Sequence, residues 1–62
     1  MIQTIIKLRR DITLGKIHHV LNFLRKNYPY MIELNLRRGE VIIISERELS
    51  PTTNKILKFI SS

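Results

Sequence analysis

The chain has 62 residues, of which 11 are lysine or arginine and five are aspartate or glutamate, so its formal net charge is +6 at pH 7. A chain this short forms one small domain with a thin core, here residues 1–62, and its lack of cysteine excludes disulfides, thiolate metal sites and thiol nucleophiles. No apolar run approaches the roughly 18 residues that a membrane span needs, and the N-terminus lacks the order of a signal peptide, so we expect a cytoplasmic protein that does not enter a membrane.

The excess of positive charge is high for so small a surface. Polyanions, and nucleic acid above all, are the natural partners of such a surface. The alternative is a solvated surface that only keeps the protein soluble while another feature performs its function. Composition leaves both interpretations open.

Alternating apolar and polar side chains over residues 2–9 predict a first strand. The face that we expect to meet the core carries Ile2, Thr4, Ile6 and Leu8. The opposite face carries Gln3, Ile5, Lys7 and Arg9. After this strand, either Asp11 or Thr13 can accept the free N–H groups at the start of a helix.

A helix is predicted over residues 14–28, where apolar side chains recur at helical spacing. Its predicted buried stripe consists of Leu14, Ile17, Val20, Leu21, Leu24 and Tyr28. Phe23 lies at the edge of the polar side. Pro29 ends the helix, because the residue before a proline is pushed out of the α region.

Two further strands are predicted over residues 31–37 and residues 40–45. The first of these alternates, and its inward side chains would be Ile32, Leu34 and Leu36. The second contains four consecutive β-branched apolar residues, which indicate a central strand with neighbours on both sides. Between them, Arg38 and Gly39 predict a two-residue hairpin loop, which would place Arg37 opposite Glu40.

Ser50 and Pro51 have the residue types of an N-cap and a first helical position, so they predict a terminal helix. Its buried side would consist of Ile56, Leu57, Phe59 and Ile60. The order of elements is then β-α-β-β-α. A right-handed crossover places both helices on one face of a three-stranded antiparallel sheet in the order 1-3-2, which is an α+β fold.

In this arrangement the first and second strands run in the same direction and end at the same edge of the sheet. The residues expected to form a basic rim there, and to bind nucleic-acid phosphates, are Arg9, Arg10, Lys16, Arg37, Arg38 and Lys58. Arginine forks suit phosphate oxygens, and the N-terminus of a helix adds to the positive potential. The alternative is that Glu40 and Asp11 neutralise part of the cluster and the rest points into water.

The sheet face without helices would carry an apolar stripe made by Ile5, Met31, Ile42 and Ile44. A monomer seldom leaves such a stripe uncovered, and this face lacks the aromatic rings that stack on bases. We therefore expect a homodimer or a protein partner there. The alternative is a modest apolar patch without a function.

Residue types that carry chemistry are sparse. His18 and His19 are adjacent in a helix and point about 100° apart, so they cannot share one metal ion. Tyr28 and Tyr30 could stack on a base, although closing the helix against the core is the commoner use of such tyrosines. No serine has an evident general base. We expect no catalytic residue, no metal and no cofactor, and hence a protein that is not an enzyme.

Three segments resemble the DinI-like family of small proteins: the opening strand from Ile2 to Lys7, the helix end at residues 24–29 (LRKNYP) and the entry into the hairpin at residues 32–39. The resemblance implies a β-α-β-β-α fold and modulation of the RecA recombinase filament. The family's last helix carries carboxylates, whereas residues 54–58 here read NKILK. The resemblance therefore assigns no site residue.

These observations together predict a small, non-catalytic regulatory protein that binds nucleic-acid phosphates through its basic rim, as a homodimer. The alternative is a protein-binding modulator or inhibitor, like the DinI-like proteins, that docks its aliphatic sheet face on a larger DNA- or RNA-processing machine.

Overall fold

The computed structural model describes residues 1–62, and its elements follow the predicted order. The elements are β1 (Ile2–Lys7), α1 (Leu14–Asn27), β2 (Met31–Asn35), β3 (Glu40–Ser45) and α2 (Pro51–Leu57). The strands form one antiparallel sheet in the order β1-β3-β2, so the predicted α+β fold and the central place of β3 are confirmed. Neither helix has the length and apolar character to span a bilayer.

The core lies between the two helices and one face of the sheet. On β3, Val41 and Ile43 are fully buried on this face, while Ile42 and Ile44 point to the other side and are half-buried. The complete core consists of Ile17, Val20, Leu21, Leu24, Val41, Ile43, Leu57 and Ile60. The alternation of β3 therefore decides which sheet face the helices cover.

Both helices begin at residues that the sequence predicts as caps. The Thr13 hydroxyl accepts a hydrogen bond from the Lys16 N–H (3.2 Å), which selects Thr13 over Asp11 as the cap of α1. The Ser50 hydroxyl accepts one from the Thr53 N–H (3.1 Å) at the start of α2. Each bond satisfies one of the N–H groups that a helix N-terminus leaves without a partner.

The register predicted for the hairpin is wrong. β2 ends at Asn35, which pairs with Glu40 in place of Arg37, and residues 36–39 form a four-residue turn. The pairing has moved by two residues. Because side chains alternate with a period of two, each strand residue keeps the face predicted for it.

Side-chain hydrogen bonding explains the longer turn. The Asn35 side-chain oxygen accepts a bond from the Arg38 N–H (3.2 Å), and the Gly39 N–H donates to the Leu36 carbonyl (3.2 Å). Gly39 adopts the left-handed conformation, with φ of 64°. Asparagine at the start of a turn and glycine at its end are typical of such a turn.

Three apolar side chains predicted to be buried are exposed: Leu14 (51%), Leu36 (56%) and Phe59 (62%). Leu36 lies in the turn, beyond the last strand pair, and Leu14 is the first residue of α1 at an open end of the sheet. Phe59 follows the end of α2 at Leu57, so helical spacing no longer sets its direction. The buried residues of α2 are Thr53 and Leu57.

β1 ends at Lys7, two residues before the predicted boundary. Leu8 forms a bridge with Ser61, and the Arg9 N–H donates to the Ile60 carbonyl (2.9 Å). The C-terminal segment thus continues the sheet beside β1. As a result, Arg9 lies against this segment and does not extend the helix-free face, where the sequence placed it.

The two glycines provide a matched test of the turn. We expect Gly39→Ala to lower the free energy of unfolding by about 1–2 kcal/mol, because a side chain disfavours the left-handed conformation although nothing lies within 4 Å of the added Cβ. Gly15→Ala also meets no atom and lies in α1, where alanine is favoured by up to about 1 kcal/mol. Urea unfolding should therefore show a lower free energy of unfolding for Gly39→Ala and a higher one for Gly15→Ala. Equal destabilisation by both substitutions would contradict the left-handed conformation assigned to Gly39.

Candidate nucleic-acid interface

An open groove of about 570 Å³ lies at one end of the sheet, between the end of β1, the hairpin turn and the start of α1. The outer strands run in the same direction and both end here, since Lys7 and Asn35 each pair with Glu40. The charged side chains that line this basic groove are all cationic: Lys7, Arg9, Arg10 and Arg38. Three of the four are among the residues predicted for the rim.

The other predicted rim residues do not line the basic groove. Arg37 lies in the same turn as Arg38, Lys16 lies in the first turn of α1, and Lys58 caps the end of α2. All three are exposed. Lys7, which was not predicted as a site residue, does line the groove. Its position as the last outward residue of β1 is the signal that could have identified it.

Carboxylates balance only two of the four groove cations. The Lys7 Nζ lies 3.1 Å from a Glu40 carboxylate oxygen, and the Arg9 Nε lies 3.9 Å from an Asp11 carboxylate oxygen. The Arg9–Asp11 pair is exposed and contributes at most about 1 kcal/mol, whereas the Glu40 side chain of the other pair is mostly buried. The side chains of Arg10 and Arg38 form no ion pair or hydrogen bond within the chain. These two guanidinium groups are therefore available to a ligand.

Arg9 has a structural role in addition to its charge. One of its terminal nitrogens donates to the Phe59 carbonyl (2.7 Å), which holds the side chain against the C-terminal segment. Its Nε is buried without a hydrogen-bond partner. Replacing Arg9 would therefore disturb folding as well as binding, so Arg10 and Arg38 are the better probes of the groove.

Backbone contacts fix the position of the groove walls. The Leu8 N–H donates to the Gly39 carbonyl (2.8 Å), which ties the hairpin turn to the end of β1. α1 begins at the same end of the sheet, so the positive end of its dipole also faces this region. The rest of the lining comprises five apolar residues, Leu8, Ile12, Leu14, Ile17 and Leu36, together with Gly39 and Ser62.

The sheet face opposite the helices, here called the open face, carries the four predicted interface residues. Ile5 pairs with Ile42 and Met31 pairs with Ile44, so the four side chains are contiguous across the three strands. Ile5 is 54% exposed and Met31 is 68% exposed. The open face is therefore an uncovered apolar stripe flanked by polar side chains.

The other residues considered in the sequence are the two histidines of α1 and the tyrosines beside Pro29. His18 and His19 are exposed on α1, and no group of three His, Cys, Asp or Glu side chains is close enough to hold a metal ion. The rings of Tyr28 and Tyr30 stack on each other, with centroids 5.0 Å apart. The Tyr30 hydroxyl shares a hydrogen bond with the buried Thr53 hydroxyl (3.0 Å), so this pair joins the end of α1 to α2.

The chain matches no protein-family model, no curated protein and no solved structure. The resemblance to the DinI-like family stays a prediction. The functional assignment depends on the geometry and charge of the basic groove and the open face.

The two tyrosines provide a second stability test. Tyr30→Phe should lower the free energy of unfolding by about 1 kcal/mol, because it removes a hydrogen bond to a buried hydroxyl. Tyr28→Phe should change it little, because the Tyr28 hydroxyl has no hydrogen-bond partner within the chain. Chemical denaturation of both variants measures the difference. A larger effect at Tyr28 would refute the assigned contact.

Proposed function

We propose that this protein is a small, non-catalytic regulatory protein that binds the phosphates of nucleic acid in the basic groove and dimerises through the open face. One observation carries the first part. Four cationic side chains and no acidic side chain line a concave groove, and two of its guanidinium groups have no partner within the chain.

The ligand chemistry follows from the groove's donors. Guanidinium groups form paired hydrogen bonds with phosphate oxygens, and the free N–H groups at the start of α1 favour the same charge. A polynucleotide suits this surface better than a single anion, because exposed cations continue the positive field beyond the groove: Lys16, Arg37 and Lys58. The net charge of +6 would also speed encounter with a polyanion at low salt.

Salt dependence tests the phosphate contacts. If the groove neutralises four phosphates of a duplex, log K should fall with log salt at a slope of about −3.6. Arg10→Ala with Arg38→Ala should halve that slope to about −1.8, because two contacts are lost. Fluorescence anisotropy with a labelled short duplex measures both values.

A charge-matched control distinguishes binding in the groove from general electrostatic attraction between nucleic acid and the protein surface. Lys26 and Lys55 are exposed and lie outside the groove, so Lys26→Ala with Lys55→Ala removes the same charge elsewhere. This double lysine variant should retain most of the affinity for the duplex and most of the slope of log K against log salt. Equal losses in the two double variants, or binding that ignores salt between about 50 and 200 mM, would rule out the groove as the binding site.

The open face supports the dimer through its apolar area and its charges. Ile5 and Glu33 both pair with Ile42, on opposite sides of β3. A two-fold axis along β3 would therefore place Glu33 of each copy above Ile5 of the other, beside Lys7. Glu33 has no ion-pair partner within the chain, and the second copy would bring near it a Lys7 that also pairs with Glu40 of its own chain.

We expect Ile42→Glu to weaken dimerisation at least about tenfold, because it places a carboxylate beside Glu33 in an apolar contact. Sedimentation equilibrium measures the change, and circular dichroism checks that the variant is folded. Ile5→Glu should act in the same direction. Phe23→Glu, at a 46% exposed residue on α1, is the control that should leave the dimer intact. A dimer that persists in both isoleucine variants would exclude the open face.

A second candidate function uses the same face differently. In it, the protein modulates a larger DNA- or RNA-processing machine by docking the open face on it. The exposure of Ile5 and Met31 suits this candidate as well as the dimer, and the DinI-like resemblance implies a protein partner. A wild type that sediments as a monomer, combined with loss of partner binding in Ile42→Glu, would favour the second candidate over the dimer.

A further inference from the structure

Apolar residues line the basic groove together with the cations. Five of its 11 lining residues are hydrophobic, and they come from the end of β1, the approach to α1, α1 itself and the hairpin turn. Two of them, Leu14 and Leu36, are more than half exposed. A site that binds phosphate alone does not need apolar residues, because phosphate oxygens are bound by charged and hydrogen-bonding groups.

The two leucines differ from ordinary exposed apolar residues in their position. Single exposed leucines are normal on a protein surface. Leu14 and Leu36 instead belong to different elements and line the same groove, which the cations also line. Both leucines therefore border the space that an occupant of the groove would fill.

Charge and apolar surface together restrict the occupant to an anion that carries an apolar part. A duplex presents phosphates to such a groove, but its bases are paired and stacked inside the helix. An unpaired nucleotide presents a phosphate and a sugar and base that can be turned outward. The groove volume of about 570 Å³ lies within the range of about 300–1,000 Å³ typical of small-molecule pockets.

We infer that the basic groove takes an unpaired stretch of polynucleotide, with phosphates on Arg10 and Arg38 and a sugar and base on Leu14 and Leu36. This inference rests on the proposed function and names its substrate class. No aromatic residue lines the groove, so the base contact is aliphatic and weaker than the stacking on aromatic rings that single-strand binders commonly use. Without directed hydrogen bonds to base edges, the contact distinguishes little among the four bases.

The test compares three probes with one double variant. The probes are a labelled single-stranded oligonucleotide, the matching duplex and inorganic polyphosphate, all at the same salt. The wild type should bind the single strand more tightly than the duplex. Leu14→Ser with Leu36→Ser should weaken single-strand binding about tenfold, because both leucines lose apolar contact with the ligand.

Two readouts distinguish this role from a loss of folding. The double serine variant should bind polyphosphate as the wild type does, and its salt slope should be unchanged, because it removes no charge. Phe23→Ser removes an exposed apolar residue outside the groove and should bind all three probes normally. Single-stranded DNA and RNA versions of the oligonucleotide then show whether the sugar is distinguished.

The outcomes separate this inference from the proposed function. Equal binding of single strand and duplex, or unchanged single-strand binding by the double serine variant, overturns the inference and leaves phosphate binding standing. If the wild type binds none of the three probes, the proposed function and the inference both fail.

Discussion

The antiparallel pairing of β3 with a strand on each side is the constraint on which the rest of the molecule depends. It makes β1 and β2 run in the same direction, so both end opposite Glu40 and bring their cationic extensions to one end of the sheet. The alternation of β3 also divides its side chains between the two faces. Val41 and Ile43 pack under the helices, and Ile42 and Ile44 form the centre of the open face. Both candidate surfaces follow from this one strand.

Local signals in the sequence were sufficient for the strand and helix boundaries that depend on neighbouring residues. The β-branched run locates β3, and Thr13, Ser50 and Pro51 locate the helix starts, because a cap needs only the next three residues to act. Contacts between distant residues, such as those of Leu8 and Arg9 with the C-terminal segment, were not predictable in this way. The turn length was missed although the Asn35 bond is local, because the pair Arg38-Gly39 also suits a two-residue loop.

In the candidate site, too, some features were predictable from the sequence and others depend on contacts that only the structure shows. Strand direction was enough to predict that Arg9, Arg10 and Arg38 meet at one end of the sheet. It could not show that Arg9 is held by the Phe59 carbonyl or that Arg37 does not line the groove, because both depend on packing of the last residues and the turn. The three arginines therefore differ in the structure: Arg9 is held within the fold, whereas Arg10 and Arg38 have no partner within the chain.

The hydrogen bond between Leu8 and Gly39 has a consequence for binding thermodynamics. It joins the backbone next to Arg9 and Arg10 to the backbone next to Arg38, so the spacing of the backbone that carries these arginines is set when the protein folds. Ordering a flexible segment costs roughly 1–2 kcal/mol of conformational entropy per residue. Because folding has already met that cost for these segments, a ligand would encounter a preorganised array and need to immobilise only the side chains.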